Sequence, residues 1–375
     1  MDSERLKPKL FSVMKTYTKQ QFVKDIISGI IVAIIALPLS IALALASGVT
    51  PQEGLYTAII AGFIISFFGG SRVQIAGPTA AFATMVAGIV ASNGGVDGGG
   101  LQALAVATVL AGILLIVFGI FKLGALIQYI PTTITTGFTF GIACTIIVGQ
   151  LKDFMGLTFD PSLHTIETID KLKAVVLSID TINWIALAVG AGSLLILVIW
   201  PKKLSVIPSS LVAVVVASVV VAYFKLPVNT IGMKADGTAN YTITAALPHF
   251  VMPDFSIANI RKMFPDAFTI AVLAAIESLL SCVVSDGMIG SKHRSNMELV
   301  AQGVGNSASA LFGGIPATGA IARTAANVKN GGRTPVAGMV HAVVLVLVLV
   351  VFFWTYSSFL ISCFARKAII GIFFV

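Results

Sequence analysis

Phe312-Gly313-Gly314-Ile315-Pro316-Ala317-Thr318-Gly319-Ala320-Ile321-Ala322-Arg323-Thr324 ends one apolar segment, runs briefly extended, and opens a second, shorter one. An earlier passage repeats the pattern. A segment beginning at Glu53 ends in Phe67-Phe68-Gly69-Gly70, an extended stretch at 72–76 follows, and a short helix opens at Gly77-Pro78-Thr79-Ala80. In the later copy the segment begins at Glu298, the extended stretch covers 315–317, and the short helix opens at Thr318-Gly319-Ala320. Short Gly/Pro-broken apolar segments at matching positions of two halves are the sequence pointer to a binding site inside a membrane bundle.

The surroundings of both copies are apolar. Of 375 residues, 57% are hydrophobic and 11% charged, against about 25% charged in ordinary soluble domains. A helical span needs about 20 mainly apolar residues. Clear spans lie at 26–47, 54–68, 101–121, 127–149, 182–200, 206–224, 267–285 and 336–354. The broken segments at 78–91 and 318–328, with a Gly/Ala/Ser-rich one at 299–312, bring the total to about eleven helical segments. Seven spans, an odd number, separate equivalent points of the two copies, so the copies are inverted in the membrane.

Loop charges orient the chain. Arg5, Lys7, Lys9, Lys15, Lys19 and Lys24 precede or open the first span, which places the N-terminus in the cytoplasm. Lys122, Lys202, Lys203, Lys292, Arg294, Lys329 and Arg333 then fall on the same side, whereas the opposite loops at 48–51 and 92–100 hold no Lys or Arg. Longer segments at 151–181 and 225–262 fall outside. The first 24 residues are polar and basic and the first apolar run is too long for a signal-peptide core, so no cleavable leader is expected. The reading is a multi-pass protein of the cell inner membrane.

Extended backbone at membrane depth is tolerated only beside protein or a polar cavity. Two half-helices starting near the midplane bring free N–H groups and about half a positive charge each to that cavity. Facing one another, they form an anion site without a dedicated ligand residue. Pro78 suits a first helical turn, and Thr79 adds a hydroxyl. The plainer alternative is a pair of broken core helices, since Gly and Pro are frequent in membrane helices.

Two charges stand within the spans. Arg323, six residues into the second half-helix, adds guanidinium donors for a carboxylate or sulfate oxygen; otherwise it snorkels to the cytoplasmic face or pairs with an acid. Glu277, in the middle of Ala274-Ala275-Ile276-Glu277-Ser278-Leu279-Leu280, is placed to take up and release a proton, or else forms a fixed pair with Arg323. Asp286 and His293 read as interfacial.

Other chemistry is excluded or weak. A net charge of +8 suggests nucleic acid, but the basic residues are scattered over short loops. Cys144, Cys282 and Cys363 lie in apolar segments without disulfide or metal spacing. No GxxxxGK[ST], HExxH or nucleophile–base pair is present, so neither direct ATP drive nor an enzyme is expected, and no cofactor. Gly94-Gly95-Val96-Asp97-Gly98-Gly99-Gly100 is a flexible outer loop.

Ala36-Leu37-Pro38-Leu39, the Phe-Gly-Gly to Gly77-Pro78-Thr79 passage and the stretch from Phe312 to Thr324 closely resemble the sulfate permease (SulP, solute carrier family 26) transporters, from about Phe22 to about Val350. Glu277-Ser278-Leu279-Leu280 and the run from Asp286-Gly287 to His293-Arg294-Ser295-Asn296 resemble bacterial proton-coupled C4-dicarboxylic acid transporters within it. The resemblance implies an all-α polytopic membrane protein with a fold of 7+7 inverted repeats in core and gate domains. Its anion lies between the third and tenth helices, lined by Pro78, Thr79 and Ala80 on one side and by Ala320, Ile321, Ala322 and Arg323 on the other. Leu39 and Leu43 complete the wall, some members carrying a polar residue at the Leu39 position, and Glu277 takes the cation-coupling position. An elevator motion and a homodimer, in contact with membrane lipid, are further implications.

The domains expected are a cytoplasmic segment at 1–21, core at 22–122 and 263–353, gate at 123–262, and an aberrant tail at 354–375. The family pattern asks for three more helices and a STAS domain, so the second repeat is incomplete and the chain is expected to be truncated. The leading expectation is proton symport of a dicarboxylate. Alternatives are sulfate or bicarbonate by sodium symport or exchange, a passive anion channel, and a non-functional fragment. A Thr or Asp near the level of Glu277 would favour sodium, and that span offers only Ser278. Arg323 argues against the nucleobase permeases that share the architecture.

Overall fold

The computed structural model describes residues 6–125, 132–160, 163, 165–201, 209–230 and 246–352. Its helices are α1 (Lys9–Val13), α2 (Lys19–Ala46), α3 (Pro51–Phe68), α4 (Ala83–Ser92), α5 (Gly100–Ile120), α6 (Thr132–Met155), α7 (Thr168–Leu177), α8 (Trp184–Ile199), α9 (Ser209–Tyr223), α10 (Ile257–Ile289), α11 (Ser295–Leu311), α12 (Ile321–Lys329) and α13 (Val336–Leu347). Two short strands, β1 (Ala76–Gly77) and β2 (Thr318–Gly319), precede α4 and α12. The fold is that of a polytopic helical membrane transporter. Among the described residues four helices, α2, α3, α5 and α10, are long and apolar enough to cross a bilayer.

Residues Met1–Thr136 with Leu247–Val348 form one unit, and Gly137–Ala246 with Leu349–Val375 a second. The second unit holds α7, α8 and α9. In it, the Asn183 side chain caps α8 by accepting the Ile185 and Ala186 amides at 3.0 and 3.1 Å, the arrangement that satisfies otherwise orphaned N–H groups. The expected spans at 182–200 and 336–354 are shorter here, 16 residues in α8 and 12 in α13, although α13 runs on into a π-helical turn, Val348–Phe352. The expected tail at 354–375, the loop Lys202–Lys203 and the start of the 127–149 span lie outside the described residues.

In the first unit, α2 starts at Thr18, whose hydroxyl accepts the Gln21 amide at 3.2 Å. Its buried face is built of small residues such as Ser28, Gly29, Ala33 and Ala36, which let neighbouring helices approach closely, while Ile27, Ile30 and Ile34 stay exposed, as lipid contact demands. Close approach recurs between α5 and α11. A Cβ at Gly112 would stand 2.6 Å from the Gly303 carbonyl oxygen, and one at Gly303 would collide with that of Gly112. The core joins α4, α5, α10 and α11 through Phe82, Val86, Leu104, Ala107, Ile270, Ala274 and Leu299. α10 extends ten residues before the expected start at 267 because Ser256 caps it, accepting the Asn259 amide at 3.4 Å, and Pro265 is taken into the helix.

The repeats meet at the strands. β1 pairs with β2 antiparallel, Ala76 opposite Gly319 and Gly77 opposite Thr318. Antiparallel pairing of equivalent segments is what an inverted repeat requires, and it brings the starts of the two broken helices together.

Candidate anion site

The lead-ins to the two short helices carry backbone groups that hydrocarbon could not satisfy, and buried polar side chains satisfy them. The Asn306 amide receives the Ala317 N–H at 2.8 Å and donates to its carbonyl at 2.9 Å. Thr57 Oγ1 accepts the Ile315 N–H at 2.7 Å, and Ser309 donates to the Ile315 carbonyl at 3.0 Å. On the other lead-in, Asn327 donates to the Val73 carbonyl at 2.8 Å and Thr324 Oγ1 accepts the Ile75 N–H at 3.0 Å. The Ala320 N–H closes the pair on the Ile75 carbonyl at 2.9 Å.

The pairing extends the strands further than expected. Pro78 and Thr79 are not in the first helical turn: Thr79 is still extended (φ −133°, ψ 157°), and a 3-10 turn begins only at Ala80, leading into α4. Thr318 and Gly319 likewise belong to β2, and α12 begins after Ala320. Strand pairing keeps φ and ψ extended until the last paired residue, so both helix starts move two to three residues onward. Neither Thr79 nor Ala320 caps its helix with a side chain. The first amides of α12 are therefore left with the positive pole of the helix.

Around this junction the expected residues fall as follows. Thr79, Ala320 and Pro78 are buried, Ala80 and Ile321 half-buried, and Ala322 exposed. Leu39 and Leu43 are buried four residues apart on α2, hence on one face. Arg323 is 1% exposed, so it does not snorkel. Its Nη2 donates to the Pro78 carbonyl, while Nε and Nη1 are buried without a hydrogen-bond partner among the described residues. Gly77 is the residue that admits the guanidinium, because a Cβ there would collide with Nη1. Glu277 does not form a direct ion pair with Arg323 among the described residues. Instead its Oε2 accepts the Thr318 hydroxyl at 2.7 Å and the Thr79 hydroxyl at 3.0 Å, the two hydroxyls standing 3.2 Å apart. One residue further along α10, Ser278 accepts the Gly319 N–H at 3.1 Å. A carboxylate, two hydroxyls and a helix start thus converge from four elements. Asp286 and His293, expected to be interfacial, pair at 2.7 Å at the end of α10.

Glu298, read only as the start of a span, proves to be a junction. It is fully buried. One oxygen accepts the Gly70 and Ser71 amides at 2.9 and 3.2 Å, the other the Gln74 and Gln302 side chains at 2.9 and 3.0 Å. Its equivalence to Glu53 was a visible signal of repetition, but an acid in a first helical turn is too ordinary to mark a hub.

The pattern of the sulfate permease family matches residues 22–365, running past Val350, near which the resemblance was expected to end. A putative sulfate transporter of Bacillus subtilis, YvdB, is 44% identical over 339 residues, covering 90% of this chain and 62% of that protein. The bicarbonate transporter BicA of Picosynechococcus is 35% identical over 331 residues, covering 87% of this chain and 56% of that one. The chain thus spans about three fifths of the length of these relatives. The solved transmembrane domain of a cyanobacterial BicA superposes with a TM-score of 0.81 at 29% identity, covering 95% of this chain and 87% of that domain. The dicarboxylate expectation finds no support in these relatives, whose names specify sulfate and bicarbonate. The chain belongs to the sulfate permease family.

Proposed function

We propose that the chain carries a small inorganic oxyanion, sulfate or bicarbonate, across the membrane by secondary transport, with the anion held where the β1 and β2 lead-ins meet. The observation that carries this reading is the antiparallel junction itself, with an uncapped α12 start and the buried Arg323 behind it. Leu39, Leu43, Pro78, Thr79, Ala80, Ala320, Ile321 and Ala322 are the proposed walls, and Arg323 supplies fixed positive charge to a site that must compensate an anion leaving water. The family and the names of its relatives support the anion class.

Glu277 is the proposed coupling group. Cation binding there and anion binding at the adjacent helix starts each lower the electrostatic cost of the other. Thr79 and Thr318, invisible from the sequence of α10, both reach its carboxylate. By the criterion that a threonine at this level marks sodium, the geometry favours sodium over the proton. We further propose that residues 22–122 and 263–353 move as a core against a gate at 123–262, that the assembly is a homodimer in an inner membrane, and that the N-terminus is cytoplasmic.

Uptake of labelled sulfate and bicarbonate into proteoliposomes, under an imposed sodium or proton gradient, tests the reading. Arg323→Gln is expected to weaken anion binding at least tenfold, taking about 1.5 kcal/mol or more for a lost charged hydrogen bond. Binding of neither anion, or equal affinity in Arg323→Gln, removes the proposal. Glu277→Gln is expected to leave binding in place and abolish dependence on the cation gradient; a surviving gradient dependence removes Glu277 from its role.

A further inference from the structure

A polar cavity is lined by residues outside the β1–β2 junction. It has a volume of about 300 Å³ and opens beside the start of α2. Tyr17, Thr18 and Gln21 line it from the entry to α2, Arg72 from the passage between α3 and β1, and Arg333 and Thr334 from the turn between α12 and α13. Its charge is uneven. Arg72 has no hydrogen bond or ion pair among the described residues, and its Nε is buried. Arg333 commits Nη1 to the Val328 and Gly332 carbonyls at 2.8 and 2.7 Å.

The neighbouring carboxylate is fully occupied. Asp25 is completely buried. Its Oδ1 accepts Gln21 Nε2 and the Arg333 amide, each at 2.9 Å, and its Oδ2 accepts the Tyr17 hydroxyl at 2.9 Å and the Thr334 hydroxyl at 2.5 Å. Burial, with the Asp25 carboxylate beside it, pushes the Tyr17 phenol up to about 12, so it remains a neutral donor. Arg72 and Arg333 therefore line a cavity beside an acid, Asp25, whose oxygens are already taken, next to the positive pole of a 28-residue helix.

We propose that this cavity binds a phosphate-bearing anion, presented by the headgroup of an acidic phospholipid. Guanidinium pairs suit the geometry of phosphate oxygens. The lipid source follows from the surroundings: Leu6, Phe11, Met14 and Phe22 are about half exposed at this same end of the bundle, interleaved with Lys7, Lys15 and Lys19, and Phe11 meets Phe67 at 6.2 Å. Exposed apolar side chains among lysines mark a segment lying in the membrane interface, where headgroup phosphates are concentrated. Because Arg72 leads into β1 and Arg333 follows α12, a bound phosphate bridges the two repeats.

The test compares the purified 375-residue chain in phosphatidylcholine nanodiscs with and without phosphatidic acid, and separately in detergent with inorganic phosphate. Lipid retention is read by native mass spectrometry and hydrogen exchange over residues 13–24 and 331–335. Phosphatidic acid is expected to protect both segments, and Arg72→Gln and Arg333→Gln to lose about tenfold in retention, as for a lost charged hydrogen bond. Arg72→Lys, which keeps the charge, serves as the folded variant and retains most of the effect. Protection by inorganic phosphate alone supports the site and assigns its anion to the free pool; protection by lipid alone assigns it to the headgroup. Absence of protection in both arms, wild-type retention in Arg72→Gln and Arg333→Gln, or an equal loss in Lys15→Gln and Lys19→Gln overturns the proposal.

Discussion

Glu277 and Glu298 are buried carboxylates in one bundle with different partners. Glu277 meets two hydroxyls, which donate to a carboxylate or accept from a carboxylic acid with equal ease. Glu298 meets two backbone amides, which are obligate donors, and two carboxamides that present their N–H groups. Glu277 thus tolerates a change of charge and Glu298 does not. Replacing Glu298 by Gln presents an NH2 group to fixed donors, an expected loss of about 2–3 kcal/mol, seen as a clearly lower melting temperature in detergent. Glu277→Gln keeps an acceptor for the threonines and is expected to shift the melting point much less. Equal melting shifts in the two variants would contradict this distinction. Glu277 was legible because a charge in mid-span is rare. Glu298 was not, because its four donors come from residues up to 228 positions away.

At the scale of elements, apolar runs and Gly/Pro breaks announced nearly every helix, and the repeat announced which segments would meet. The missing information was strand pairing, which is non-local and draws Gly77, Thr318 and Gly319 into strands, with Thr79 still extended beyond them. That junction is testable by cross-linking. With the Thr79 and Thr318 hydroxyls 3.2 Å apart, cysteines at both positions fall within the reach of a disulfide. The pair Thr79→Cys/Thr318→Cys is expected to oxidise readily, detected as protected thiols on mass spectrometry, whereas Thr79→Cys paired with Thr324→Cys is not. The α5–α11 contact gives a second check. Gly303→Ala places a methyl against the Gly112 carbonyl and is expected to destabilise by about 1–3 kcal/mol, with Gly137→Ala, which meets open space, unchanged in thermal unfolding.

For the molecule as a whole, the contacts of the first unit sort into two ends. At one end the Lys9 amide reaches the Gly69 carbonyl at 2.9 Å, the Arg294 amide the Gly70 carbonyl at 3.0 Å, and Lys9 Nζ the Lys292 carbonyl at 2.8 Å. Asp25 binds Arg333 and Thr334 at that end too. At the other, Lys262 meets Asn93 at 2.6 Å and the Val251 amide meets the Leu311 carbonyl at 2.8 Å. Threading by loop parity assigns the same residues to the same two sides, and the first end holds most of the lysines and arginines. By the positive-inside rule that end is the one proposed to face the cytoplasm. A single cysteine at Asp97, exposed in the loop before α5, and one at Lys329, exposed at the end of α12, then report opposite faces. In a cysteine-free background and intact cells, a membrane-impermeant maleimide is expected to label Asp97→Cys directly and Lys329→Cys only after permeabilisation. Labelling of both from one side would break the inverted repeat, since an odd number of crossings must separate them; reversed labelling would keep the repeat and turn the chain over, with the basic end outside against the electrostatic preference that sets topology.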